Sequence, residues 1–227
     1  MLTSLELQAL ATSFIVSTRS VLIALPIAIL IAYALGRFRF PGRTLLDVLA
    51  HAPLILPPVV VGYVLLSTFG LNAPLGGFLH RTFGWRFVFT SEGASLATAI
   101  MTLPLMIRAV RLSLEAMDEG LDEAARTLGA KALDRALSLH LPLAWPGILA
   151  AAILGFAAGL GEFGAIITFV SNIPGETQTL PLAIYSALQQ PGGEAAAARL
   201  ATLSFALAIA GLAASELLIR FGKRRLQ

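Results

Sequence analysis

The sequence predicts an all-α protein, a polytopic membrane helix bundle of about five transmembrane helices, and three observations lead there. Of 227 residues, 57% are hydrophobic and 13% are charged, against about 45–50% and about 25% in ordinary soluble domains. So few charged side chains cannot coat a soluble globule of this length, and a mean hydropathy of +0.82 excludes intrinsic disorder. The apolar residues also run on for roughly the 20 positions that an α-helix needs to cross a hydrocarbon core about 30 Å thick. They do not alternate with period two, so a β-barrel is excluded. The chain has no cysteine, which removes disulfides, thiolate metal sites and thiol nucleophiles.

Five stretches qualify as spans, at about residues 11–35, 48–69, 91–110, 147–170 and 200–219. The opening MLTSLELQAL lacks the basic start of a cleavable signal peptide, so the first stretch is expected to remain as a span. Of the 16 Lys and Arg, 12 fall on one side of this arrangement. They are Arg37, Arg39 and Arg43, then Arg108, Arg111, Arg126, Lys131 and Arg135, and finally Arg220, Lys223, Arg224 and Arg225. The positive-inside rule makes that side cytoplasmic and the N-terminus periplasmic, with the C-terminus inside. The net charge of +3 therefore reflects topology and not nucleic-acid binding. A nine-residue apolar piece, Leu180 to Leu188, is too short to span, and its proline and glycine borders suggest a helix at the outer mouth, shielded by protein. No internal repeat or linker divides the chain, which is read as one domain over residues 1–227.

The missing chemistry is informative. There is no G-x-x-x-x-G-K-[ST] phosphate loop, and the only lysines, Lys131 and Lys223, lie in no such setting. His51, His80 and His140 have no partner at metal-ligand spacing. No G-x-S-x-G or Ser-Lys arrangement appears, so the chain is not read as an enzyme, and no cofactor of its own is expected.

The long connection at residues 111–146 carries the clearest pattern. Leu114, Met117, Leu121, Ala125 and Leu128 fall at helical spacing and form one stripe, surrounded by Glu115, Asp118, Glu119, Asp122, Glu123 and Arg126. Gly129 suits a left-handed helix terminus. A second short helix is expected over about residues 131–139, ending before Pro142. Periodicity alone leaves two readings open: a hairpin folded back on its own bundle, or a docking surface.

The residues Glu123-Ala124-Ala125, then Gly129 after three positions, then Leu139-His140-Leu141-Pro142 after nine more, resemble the EAA loop of ABC importer permeases. The single departure is Leu139, where isoleucine is usual. FPGR at 40–43, PLILPPVVVGY at 53–63, PLMIRAVRLSLE at 104–115, GEFGAIITFVSNIPGETQTLPLAIY at 161–185 and QQPGGE at 189–194 are similar to the molybdate permease branch, and sulfate permeases share part of this pattern. The resemblance implies the type I importer permease (MetI-like) fold. It also implies that Glu123, Ala124, Ala125, Gly129, Leu139, Leu141 and Pro142 form a coupling loop seated in a cleft of an ATP-binding subunit, so that any ATP is bound by that partner. The partners implied are a second copy of this chain in a homodimer, two ATP-binding subunits, a periplasmic molybdate-binding protein and membrane lipid. The place implied is the bacterial inner membrane. Tungstate or sulfate transport remains an alternative, as does a non-transporting scaffold whose hairpin binds a regulator.

Within the spans, Pro57-Pro58 removes backbone donors and should kink the second one, as a pathway-lining helix or as plain packing. Glu162 is costly in a bilayer, by roughly 2.5–3.5 kcal/mol on insertion scales, so it should face protein or water. It reads either as a pathway or gate residue or as a structural hydrogen-bond partner. It is not read as a ligand, because a bare carboxylate repels an oxyanion. Gly161 and Gly164 beside it permit close helix contact or a local break. Arg19 is expected to snorkel to the interface, Glu216 to pair with the basic tail, and His51 to be a satisfied polar group.

Overall fold

The computed structural model describes the backbone of residues 3–224 and the side chains of residues 3–211. The pairing expected for Glu216 with the basic tail from Arg220 to Arg225 lies outside the described side chains. The order is α1 (Ser4–Arg37), α2 (Arg43–Ile55), α3 (Pro58–Phe69), α4 (Pro74–Phe83), α5 (Ser91–Glu115) and α6 (Glu119–Thr127). There follow α7 (Ala132–Arg135), a π-helical turn (Ala136–His140), α8 (Leu141–Leu143) and α9 (Trp145–Leu160). The last three are α10 (Gly164–Val170), α11 (Leu180–Leu188) and α12 (Glu194–Arg224).

α1 is the element on which the others assemble. It starts at a capping box: the Glu6 N–H donates to Thr3 Oγ1 (3.2 Å), and the Thr3 N–H donates to Glu6 Oε2 (2.7 Å). One face carries small residues at four-residue spacing, Ala9, Ser13, Ser17, then Ser20, Ala24, Ala28 and Ala32, all buried. In a bilayer no hydrophobic force draws helices together, so close approach of backbones over small residues has to supply the contact. α5 and α9 pack on this stripe, with Met106, Ile107, Val110, Ile148 and Ala151 completing the cluster. A second cluster joins Val61 and Leu65 of α3, Ala94 and Ala97 of α5, and Ala165, Ile166 and Phe169 of α10. α11 docks by Leu180 and Ala183 against Ala9 and Leu200, which bears out a short protein-shielded helix.

Among the described residues, α1, α5 and the first part of α12 are long and apolar enough to cross a membrane as single helices. Up to five spans result if each of two bent pairs counts as one. The second expected span is sharply broken: α2 and α3 meet at 114°, since Pro57 and Pro58 cannot donate into a continuous ladder. The fourth is interrupted at residues 161–163, and its first helix meets the preceding helical stretch Ala132–Leu143 at 64°.

Two local expectations are corrected. The stripe from Leu114 to Leu128 does not lie on one helix, because the chain breaks at residues 116–118 and Asp118 caps a new helix through the Gly120 N–H (2.8 Å). Leu114 is buried in the bundle, whereas Leu128 is 87% exposed. Nor does the following helical stretch end before Pro142. The Leu141 N–H reaches back five residues to the Ala136 carbonyl, and this π-turn lets the helical path continue through Pro142 to Leu143. α4 was not expected. It begins with Pro74 at its first position and stops at Gly84, which takes φ +71.

Candidate functional site

The residues singled out by sequence fall into two groups on different elements. The first is the hairpin formed by α6 and the stretch Ala132–Leu143. Glu123 and Ala124 are exposed on α6, Ala125 is half-buried, and no residue of this helix is buried. Gly129 ends the helix with φ +83. Its N–H donates to the Arg126 carbonyl, and the Ala130 N–H donates to the Ala125 carbonyl, both at 3.0 Å. This pair of bonds is a Schellman motif, which satisfies the orphan carbonyls and fixes the exit angle of the chain. Leu139 and Leu141 are half-buried on the second arm, and Pro142 is exposed. Glu123, Arg126 and Thr127 border an open concavity on the outer surface of the hairpin.

The hairpin is tied to the bundle by polar contacts that sequence reasoning missed. His140 is buried with 2% exposure. Its Nδ1 lies 3.0 Å from Tyr33 Oη on α1, and its Nε2 lies 2.9 Å from Asp122 Oδ1 on α6. Arg135 Nε donates to the same Asp122 oxygen at 2.9 Å. Burial, then the positive charge of Arg37, pushes the imidazole pKa below its usual value. Desolvation alone would raise that of Asp122, but the hydrogen bond from His140 and the Arg135 charge outweigh it and hold the carboxyl below its usual range. No periodicity links residues 33, 122 and 140, so only the position of His140 inside the motif gave any signal.

The second group is the pair of helix breaks. Pro57 caps α3 and Pro58 is its first residue, while Gly161 closes α9 and Gly164 opens α10. The structure brings these breaks together. A Cβ added at Gly164 would lie 2.7 Å from Pro58 Cβ. One added at Gly62 would lie 2.7 Å from Thr168 Cβ and 2.8 Å from the Ala165 carbonyl oxygen. Glu162, between the helices, accepts the Ala165 N–H on Oε1 at 2.9 Å and so caps α10. Of its two readings, this contact is the structural one, made to backbone beside the flanking glycine.

Two further residues singled out by the sequence, Arg19 and His51, have ordinary partners. Arg19, expected to snorkel, ends on an ion pair with Glu92 Oε1 (3.0 Å) at the start of α5. His51 Nδ1 lies 2.9 Å from the Asp47 carbonyl oxygen. Among the described residues, no group of His, Asp or Glu could hold a metal ion.

Comparison with known proteins fits this arrangement. Residues 24–223 match the family described as binding-protein-dependent transport system inner membrane component. The chain belongs to that family. A relative, the molybdenum transport system permease protein ModB of Escherichia coli (strain K12), is 51% identical over 224 residues, covering 99% of this chain and 98% of that one. The sulfate transport system permease protein CysT of Salmonella typhimurium (strain LT2) is 37% identical over 196 residues, covering 86% of this chain and 70% of that one. The fold is shared with a crystal structure of a bacterial ABC transporter involved in alginate import, at a TM-score of 0.74 and 17% identity over 98% of this chain and 80% of that one. The all-α importer permease fold expected from sequence is borne out. As an inner membrane component of a transport system, the chain is a permease subunit and not an enzyme.

Proposed function

We propose that this permease is the membrane-spanning subunit of an ATP-driven importer that passes molybdate across the inner membrane. The observation that supports it best is the 51% identity to the molybdenum permease along nearly the whole of both chains, against 37% to the sulfate permease over 70% of that one. One chain offers one hairpin, so two copies related by a two-fold axis would present the two surfaces that a pair of ATP-binding subunits needs. ATP is bound by those subunits. A periplasmic molybdate-binding protein delivers the oxyanion to the outer loops, with the N-terminus on that side and the C-terminus in the cytoplasm. The hairpin carrying Glu123, Ala124, Ala125 and Gly129 docks on the ATP-binding subunit. Small alanines allow close approach, and the exposed Glu123 carboxylate accepts a charged hydrogen bond.

The path runs between the two copies, along parts of the second to fifth spans. The two helix breaks leave α3 and α10 as short segments packed closely on each other through Pro58, Gly62 and Gly164, which supports reading them as a gate that moves together. Hydroxyls and backbone amides there give only weak contacts, because tight binding inside the path would stall release.

The test is uptake of labelled molybdate by vesicles holding the full complex, with tungstate and sulfate as competitors. Glu123→Lys and Gly129→Val should abolish uptake and reduce copurification of the ATP-binding subunit while the spans stay inserted. Survival of both activities would overturn the docking role. Uptake of sulfate in preference to molybdate would overturn the substrate.

A further inference from the structure

We propose that Tyr33, His140, Asp122 and Arg135 form a positioning relay that holds the hairpin at a fixed angle to α1, so that motion delivered to α6 turns the bundle instead of bending the hairpin away from it. The proposal rests on the coupling role given to the hairpin above. Its starting point is that α6 buries no residue, and that Leu121 and Leu128 point to solvent with 48% and 87% exposure. No buried apolar residue of α6 itself therefore sets its angle to the membrane helices, and apolar contact with the bundle comes only from Met117 before it and Leu141 on the second arm. The polar chain sets the angle instead.

Its parts are directional. With the imidazole neutral and protonated on Nε2, Tyr33 Oη donates to Nδ1 and Nε2 donates to Asp122 Oδ1, so both ring nitrogens are satisfied on two different elements. Arg135 adds its Nε–H to Asp122 Oδ1 and donates from Nη1 to the Ala130 carbonyl at 3.1 Å, next to the Gly129 turn. Arg37, on the same helix as Tyr33, donates to the Leu114 carbonyl at the end of α5 at 3.1 Å. The groups facing His140 are thus Tyr33 and Arg37 from α1, Asp122 from α6 and Arg135 from α7. The π-turn ends on His140. A leucine there would serve packing equally well. A buried imidazole with two partners, which is costly wherever one is lost, serves orientation.

The experiment is the ratio of molybdate imported to ATP hydrolysed by the reconstituted complex, for wild type, Tyr33→Phe, His140→Ala, His140→Gln and Glu123→Lys. Tyr33→Phe should keep the ATP-binding subunit attached and hydrolysing, yet lower the ratio about five- to tenfold, the factor for one lost buried hydrogen bond. His140→Ala should do the same or worse. His140→Gln should restore much of the ratio, because its amide can accept from Tyr33 and donate to Asp122. It should also abolish the fall in the ratio expected of wild type as pH drops below the ordinary imidazole value of 6.5. An unchanged ratio in both Tyr33→Phe and His140→Ala would overturn the relay, as would a His140→Gln profile that falls with acid as wild type does. If those two are unchanged while Glu123→Lys detaches or uncouples the ATP-binding subunit, the relay alone falls. If Glu123→Lys is also silent, the coupling reading falls with it.

Discussion

Gly62→Ala tests how closely α3 and α10 must approach. The added Cβ would sit 2.7 Å from Thr168 Cβ and 2.8 Å from the Ala165 carbonyl oxygen. Non-bonded heavy atoms prefer about 3.5–4.0 Å, so the helices must part by about 1 Å or distort. Overpacking of this kind costs about 1–3 kcal/mol. Alanine in place of a helical glycine returns about 1 kcal/mol of helix propensity, so the net expected effect runs from about 0 to about 2 kcal/mol of destabilisation. Gly36→Ala is the control, since its nearest neighbour is Leu114 Cβ at an ordinary 4.0 Å. The gap between the two variants should therefore be about 1–3 kcal/mol. For a chain of this size each kcal/mol moves Tm by about 2–4 °C. Thermal unfolding of the detergent-solubilised permease should place Gly62→Ala below Gly36→Ala by several degrees, and molybdate uptake should fall with it. If Gly62→Ala melts with or above the control, the contact between α3 and α10 is not as close as described.

The hairpin should loosen in acid. The folded His140 pKa lies below the ordinary 6.5, so the opened state binds the proton more readily. Attachment is complete above that value and is lost as pH falls through it, which hydrogen exchange over residues 119–143 should reveal. Asp122, also lowered, adds a further loss only at much lower pH, as its carboxylate protonates in the folded state. Thr3→Ala removes the side-chain cap of α1 and should cost about 1 kcal/mol, seen as faster exchange in the first turn of that helix. Glu162→Gln keeps an acceptor for the Ala165 N–H and should transport nearly normally. Glu162→Ala leaves that donor open and should lose about 1–2 kcal/mol of stability. Equal loss of transport in both Glu162 variants, with stability unchanged, would show that the charge matters and not the cap.

Much of this fold could be read from the chain because the bilayer imposes one length scale on every span. Continuous apolar runs located α1, α5 and α12, and Pro57-Pro58 marked the place where the second span breaks. The size of that break was not legible, because it depends on how α3 packs on α10. The EAA pattern located the hairpin and its Gly129 turn. The break at residues 116–118 and the continuation through Pro142 were missed, since periodicity passed across the first and proline chemistry argued against the second. The tie from Tyr33 to His140 joins residues 107 apart in sequence, and nothing local encodes a contact of that range.

α1 is held at both ends by polar contacts: Arg199 Nη2 reaches Glu6 Oε1 (2.9 Å) at its start, and Tyr33 meets His140 near its finish. The stretch between them is one continuous helix that carries Pro26 in its interior, about 40 Å long at 1.5 Å per residue. Tilted as a single rod by about 5°, such a lever carries its far tip sideways by about 3–4 Å. A small push at the Tyr33 end of α1 would thereby be felt, mechanically and without any intervening chemistry, at the start of α12 beside its other end.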